Sequence, residues 1–268
     1  MSEGVSNGVK TWVAGQLNLF RLALSFMTRL PAGRLDYSPE KMHLALRYFP
    51  AVGWLLGLQL CGVFLLTEHL SGSTVAVVVC VVVSILLTGA LHEDGLADTF
   101  DGFYGGFDTE RKLTIMKDSR IGTYGSAALF SALALKITLL LELANNGQVI
   151  SALLVAYPLS RAMAITHGQD LPYVSAPGKS KSDPLAKPMS TGNLIFTVIC
   201  GALALLLFPL VSAIAVIISV VIARILLRLW MKKHIQGFTG DCLGAAQQFQ
   251  ELLIYFVLVA CVTQGVGQ

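Results

Sequence analysis

Four carboxylates and two glycines fall within eleven residues near the middle of the chain, His92-Glu93-Asp94-Gly95-Leu96-Ala97-Asp98-Thr99-Phe100-Asp101-Gly102. The segment follows directly on an apolar run from Thr74 to Leu91. Continued as a helix, it places Asp94, Asp98 and Asp101 at i, i+4 and i+7, on one face. Like charges stacked on a face repel, and near a membrane their desolvation costs still more. A divalent cation relieves both effects, and oxygen-only ligation points to Mg²⁺ or Mn²⁺ rather than zinc. An EF-hand is excluded by spacing. Counting from Asp94 puts Leu96 at the third position and Thr99 where glycine is required at the sixth, and counting from Asp98 puts Phe100 third. His92 points roughly opposite the Asp94 face and reads either as a proton acceptor or as a helix-end residue.

Two further segments carry polar chemistry. In Lys117-Asp118-Ser119-Arg120-Ile121-Gly122-Thr123-Tyr124-Gly125, Lys117 and Arg120 bracket Asp118, and glycines follow. That arrangement suits an anion clamp, with a point charge, a bidentate fork and Gly122 letting backbone approach a phosphate; an ordinary basic loop is the plainer account. Gly237-Phe238-Thr239-Gly240-Asp241-Cys242-Leu243-Gly244-Ala245 sets three glycines about Asp241, as a cavity-lining turn or a simple loop would. Arg161 lies inside an apolar stretch, where charge is functional by default but also able to snorkel to the interface. Lys136 reads as a structural pairing or as snorkelling, and Arg224 and Arg228 as snorkelling anchors. Gly178-Lys179-Ser180 resembles the end of a Walker A motif, but the required first glycine is Tyr173.

The elements that must position these residues are membrane helices. The chain is 54% hydrophobic and only 13% charged, about half the charge of a soluble protein, with a mean hydropathy of +0.69. The expected fold is all-α, a single polytopic integral membrane domain over residues 1–268. Seven spans are predicted, at about Leu44–Leu66, Thr74–Leu91, Tyr124–Leu143, Val149–His167, Leu194–Phe208, Leu210–Trp230 and Phe249–Thr263. Leu194–Trp230 as one helix would be about 55 Å long against a core of ~30 Å, so Pro209 is read as the turn of a hairpin. Ahead of the spans, Val13, Leu17, Phe20, Leu24 and Met27 recur at helical spacing, opposite Asn18, Arg21, Ser25 and Arg29, and predict an amphipathic interfacial helix over 9–30. No signal-peptide pattern precedes it. Five scattered cysteines form no C-x-x-C pair and read as core residues.

Lysine and arginine set the orientation. They occur before the first span, between spans two and three, between four and five (Lys179, Lys181, Lys187) and after six, and are absent from the alternate connections. The N-terminus is therefore expected inside and the C-terminus outside. All three polar segments then face the cytoplasm, together with His167, Gln169 and Asp170.

With those motifs in view, the chain resembles the cobalamin synthase (adenosylcobinamide-GDP ribazoletransferase) family. The resemblance rests on His92–Gly102, Ile115–Gly125 and Gly237–Ala245 in that order, with Leu24-Ser25-Phe26-Met27-Thr28-Arg29-Leu30-Pro31 similar to the family's N-terminal segment. Gln248 departs from the pattern, standing where the family carries an acidic residue. The resemblance implies an Mg²⁺-dependent transferase of the bacterial inner membrane. It would pass the cobinamide-phosphate of adenosylcobinamide-GDP to α-ribazole or its 5′-phosphate, giving adenosylcobalamin (or its phosphate) and GMP. Asp94, Asp98 and Asp101, with Glu93 or Asp241, would then hold Mg²⁺ on the diphosphate. Lys117 and Arg120 would neutralise the phosphoryl group and departing GMP. Asp118, Asp241 or His92 would accept the proton, and Gly122, Arg161 and Gly240 would contact substrate. The implied partners are the two small molecules and membrane lipid, with no nucleic acid; self-association is left open. Two rival classes stand beside this reading. A secondary transporter would place its ionisable residues at the midplane of duplicated halves, which are not seen here. A CDP-alcohol phosphotransferase would carry arginine after Ala97, where this chain has Asp98.

Overall fold

Apolar chain that finds no water must satisfy its backbone internally, and here it does so as helix almost throughout. The computed structural model describes residues 2–174 and 184–265. Its helices are α1 (Ser2–Met27), α2 (Pro39–Ala45), α3 (Phe49–Ser71), α4 (Ser73–Thr88), α5 (Leu91–Gly105), α6 (Thr109–Ile115), α7 (Thr123–Asn145), α8 (Val149–Ile165), α9 (Thr191–Ala202), α10 (Leu210–Ile235) and α11 (Gly240–Thr263). Ser38, Asp108, Ser190 and Thr239 cap α2, α6, α9 and α11 with side-chain acceptors. Among the described residues the one isolated bridge of extended backbone joins Tyr173 and Phe238. Gly178-Lys179-Ser180, Lys179 and Lys181 lie outside the described residues.

All seven apolar segments are helical, but not all have span length. Five helical stretches are long and apolar enough to cross a bilayer: Pro39–Ser71, Thr123–Asn145, Val149–Gln169, Leu210–Ile235 and Gly240–Thr263. The Thr74–Leu91 segment is shorter than expected. It ends at Thr88, and α5 leaves at 85° to α4. Gly89 and Ala90 both take left-handed backbone (φ 64° and 59°), which ends one helix and redirects the next. The Thr191–Leu207 segment is likewise short, and Pro209 begins α10 after it, as the hairpin reading requires.

Helix α8 is buried along nearly its whole length. Its closest neighbour is α3, where Gly53 and Gly57, four apart, face it. A Cβ on Gly53 would sit 2.6 Å from the Tyr157 carbonyl oxygen, and one on Gly57 3.1 Å from that of Leu153. This is small-residue packing of the membrane type, letting two backbones touch. The outward faces of α7 and α10 expose Phe130, Ile218, Ile222 and Leu226.

Helix α1 is longer than the interfacial helix expected, and its stripe is shifted. Leu19, Leu22, Ala23, Leu24 and Met27 are buried, whereas Val13 and Leu17 are exposed. The end of α1 docks on the α4–α5 break. The Arg29 amide donates to the Leu87 carbonyl (2.7 Å), and its side chain lies against Gly89.

Candidate active site

The acidic segment forms α5, so the i, i+4, i+7 register of Asp94, Asp98 and Asp101 holds in the backbone. The side chains divide. Asp101 is buried and accepts from the amides of Gly122 (2.6 Å) and Gly125 (2.8 Å), capping the N-terminus of α7. A Cβ on Gly125 would collide with that carboxylate. Asp101 thus caps α7 while its charge still lies near Asp98. Gly122 serves the same contact, with its amide committed to Asp101 instead of to a phosphate.

Glu93 also leaves the group. It turns inward, where Lys136 Nζ of α7 stands 3.8 Å away and Gln248 Nε2 donates to it at 3.1 Å. Lys136 in turn pairs with Glu251 (3.1 Å) and donates to Gln248 Oε1 (2.9 Å). Gln247 bridges Glu251 (2.6 Å) to Ser160 of α8 (3.0 Å), and Tyr255 donates to Glu251 (3.3 Å). Lys136 is thus the structural pairing expected. Gln248 is a hydrogen-bonding link of this interior network.

Asp241 replaces what Asp101 and Glu93 do not provide. Helices α5 and α11 cross at Gly95 and Gly244; a Cβ on Gly95 would sit 2.8 Å from the Asp241 carbonyl oxygen. The crossing brings the second and third motifs to the first. Lys117 Nζ stands 3.7 Å from Asp241 Oδ2, which also accepts from Thr239 Oγ1 (3.3 Å). Helix α5 runs nearly at right angles to α4 and lies beyond the predicted Thr74–Leu91 span. There, burial together with the neighbouring Asp241 and Asp94 carboxylates pushes the Asp98 carboxyl up to about 7. Asp94, Asp98 and Asp241 therefore form an acidic group with Lys117 as its nearby cation. Among the described residues no three His, Cys, Asp or Glu side chains already converge on one point as a metal nest. Mg²⁺ does not require one, since it commonly sits on one or two carboxylates plus substrate phosphate and water. Hard carboxylate oxygens of α5 and α11 beside one another are the donor type that such an ion takes.

Asp118 and Arg120 pair with each other. Arg120 Nε and Nη2 fork onto the Asp118 carboxylate (3.0 and 2.6 Å), which they hold down at about 2. Asp118 is consequently a poor proton acceptor, contrary to one expectation above. Beside Asp94 and Asp241 opens a cavity of about 220 Å³, lined also by His92, Arg161, Gly240 and Gln247. Arg161 does not snorkel: it is 2% exposed, with Nη1 donating to the Tyr157 carbonyl (2.9 Å). Arg224 and Arg228 both reach Asp170 (2.8 and 2.7 Å) and tie α10 to the end of α8.

Residues 19–259 match the family model for CobS, cobalamin-5-phosphate synthase. The chain is 51% identical over 255 residues to an adenosylcobinamide-GDP ribazoletransferase of Pseudoalteromonas atlantica, covering 94% of this chain and 95% of that one. It is 46% identical to the protein of that name in Shewanella amazonensis (93% and 98% covered) and 49% to that in Vibrio cholerae (91% and 94%). The chain belongs to the cobalamin-5-phosphate synthase family. Membership sets aside the transporter and CDP-alcohol phosphotransferase readings. No solved structure matches the chain.

Glu251, Gln247 and Thr239 were not singled out in the sequence. Glu251 carried a signal, being the one acid within the long apolar run of α11, with Lys136 as a complementary charge within α7.

Proposed function

We propose that the chain transfers the cobinamide-phosphate group of adenosylcobinamide-GDP to a ribazole acceptor and releases GMP. The observation that carries the reading is the meeting of Asp94, Asp98 and Asp241 with Lys117 where α5 crosses α11. A diphosphate electrophile calls for concentrated positive charge, and this acidic group can hold it. Mg²⁺ held by one or two of Asp94, Asp98 and Asp241 would supply charge neutralisation on the diphosphate. Lys117, beside the acidic group, is placed to meet the oxygens of the departing GMP. A hydroxyl of the acceptor's ribose attacks the phosphorus bearing cobinamide, the P–O bond to GMP breaks, and the hydroxyl proton passes to the protein. His92 and Asp241, which line the cavity beside Asp94, are the two acceptors in place. We further assign the chain to the inner membrane, with the N-terminus and the site on the cytoplasmic side. That side is the one on which basic connections accumulate.

Detergent-purified protein should release GMP from adenosylcobinamide-GDP only when α-ribazole and Mg²⁺ are both present. Addition of EDTA should stop release and excess Mg²⁺ restore it. Undiminished turnover in EDTA would remove the metal assignment; no release under any condition would remove the reaction.

A further inference from the structure

The cavity beside Asp94 is built unlike the acidic group it adjoins. Phe26 and Phe49 form a stacked pair on its wall (centroids 5.6 Å apart, 20° between planes), continued by Ile165 and Leu185. Asp94 is exposed and Asp241 partly so, whereas Arg161 is buried at the inner end. Its guanidinium makes a single hydrogen bond, and its Nε is buried without any partner. None of the ion pairs among the described residues includes it. A buried donor left unmade is costly, so a position of this kind calls for an acceptor from outside the chain.

We propose that this cavity is the subsite for the base of the acceptor nucleoside, taking a flat fused-ring nitrogen heterocycle whose unsubstituted ring nitrogen accepts from Arg161. The assignment rests on the transferase reading above. At about 220 Å³ the cavity is smaller than the ~300–1,000 Å³ of a site for a whole drug-sized ligand, so one ring system fits and a nucleotide does not. Aromatic and aliphatic walls with the unspent N–H groups of Arg161 at the inner end match an apolar ring carrying a lone pair. A phosphate in the same place would face Asp94 and Asp241 across apolar walls, with Arg161 as its single cation. With the base seated inward, the ribose lies at the mouth between Asp94 and Asp241. Its hydroxyl is then presented to the diphosphate, and His92 is within the same wall to receive the proton.

The probes are 5,6-dimethylbenzimidazole and 5,6-dimethylindole, which has a ring N–H but no free ring lone pair, tested on the full chain in detergent. Dimethylbenzimidazole should inhibit GMP release competitively against α-ribazole and not against adenosylcobinamide-GDP. The indole should bind about tenfold more weakly to the wild type, because it leaves the buried donor unpaired. Arg161→Met should abolish that preference. Ala164→Phe, which fills the cavity from α8, should raise the KM for α-ribazole by about tenfold or more while leaving that for adenosylcobinamide-GDP within about twofold. Should either variant fail to fold, a photoactivatable azidobenzimidazole on the wild type decides. Adducts on Phe26, Phe49, Ile165 or Leu185 support the site. Adducts in the apolar groove of about 560 Å³ lined by Phe100, Tyr124 and Phe249 overturn it. So would Arg161-dependent competition by inorganic phosphate, or an unchanged α-ribazole KM in Ala164→Phe. Those results leave GMP release by the wild type intact, and loss of that release is what would sink the transferase reading instead.

Discussion

Two aspartates three residues apart on α5 do opposite work, and a pair of substitutions separates them. Asp98 is half-buried among like charges, so its role is the charge it concentrates. Asp101 is spent on the amides of Gly122 and Gly125. Asp98→Asn relieves repulsion and should leave the thermal midpoint unchanged or raised, while GMP release falls by about 10²–10³-fold. Asp101→Ala removes a charged cap of α7 and should cost about 1–2 kcal/mol of stability, with activity falling only as far as the protein unfolds. Thermal unfolding in detergent beside initial rates checks both. Equal destabilisation by the two variants would refute the division. The sequence could place both residues on one helix face because helical spacing is local. It could not tell their fates apart, because the partners of Asp101 lie 21 and 24 residues further on. Asp241 and Lys117 were legible as motif residues for the opposite reason: charge set among glycines has few structural uses.

Between elements, the site depends on how closely α5 and α11 approach. Gly95 and Gly244 leave no room for a side chain at the crossing, and the nearest atom to a Cβ on Gly95 is backbone, which cannot swing aside. Gly95→Ala should force the helices apart and shift Asp94 and Asp98 from Asp241. A displacement near 1 Å lowers turnover by about 10²-fold, and kcat rather than the KM for either substrate should carry most of the loss. The second tie is ionic. Lys136 of α7 bridges Glu93 of α5 and Glu251 of α11 in the interior. Lys136→Met would strand two carboxylates and cost about 3–5 kcal/mol. Adding Glu251→Gln should recover part of that loss, which a double-mutant cycle on thermal unfolding will show as a coupling well beyond additivity. Helix identity was evident from the apolar runs. The break at Gly89–Ala90 was not, since the apolar pattern runs straight through it to Leu91 and hides the turn. The contact of Gly53 and Gly57 with α8 also needed the fold, because a small-residue pair does not name the helix it faces.

For the molecule as a whole, the two short apolar segments decide which side of the membrane each terminus occupies. Helix α4 has 16 residues, about 24 Å of rise, and α5 then turns away at 85° instead of adding length. The other, Thr191–Leu207, joins 12 α-helical residues to five in a 3-10 helix. At 1.5 and 2.0 Å per residue these reach about 28 Å, close to the ~30 Å hydrocarbon thickness. The tighter winding thus gives back much of the span that a 17-residue α-helix would lack, and modest thinning of the bilayer accommodates α4. If both segments cross, the chain has seven spans and its termini lie on opposite faces. The basic connections require the same parity, because they alternate with connections that carry no lysine or arginine. If either short segment turned back within the membrane, every later connection would change sides and Lys232 and Lys233 would face outward. Alkaline phosphatase fused after Gly265 should therefore be active, and a fluorescent protein that matures only in the cytoplasm should stay dark there. The reverse pattern would leave six crossings; with Thr191–Leu207 as the segment that turned back, Asp241 and the start of α11 would lie on the opposite face from Lys117.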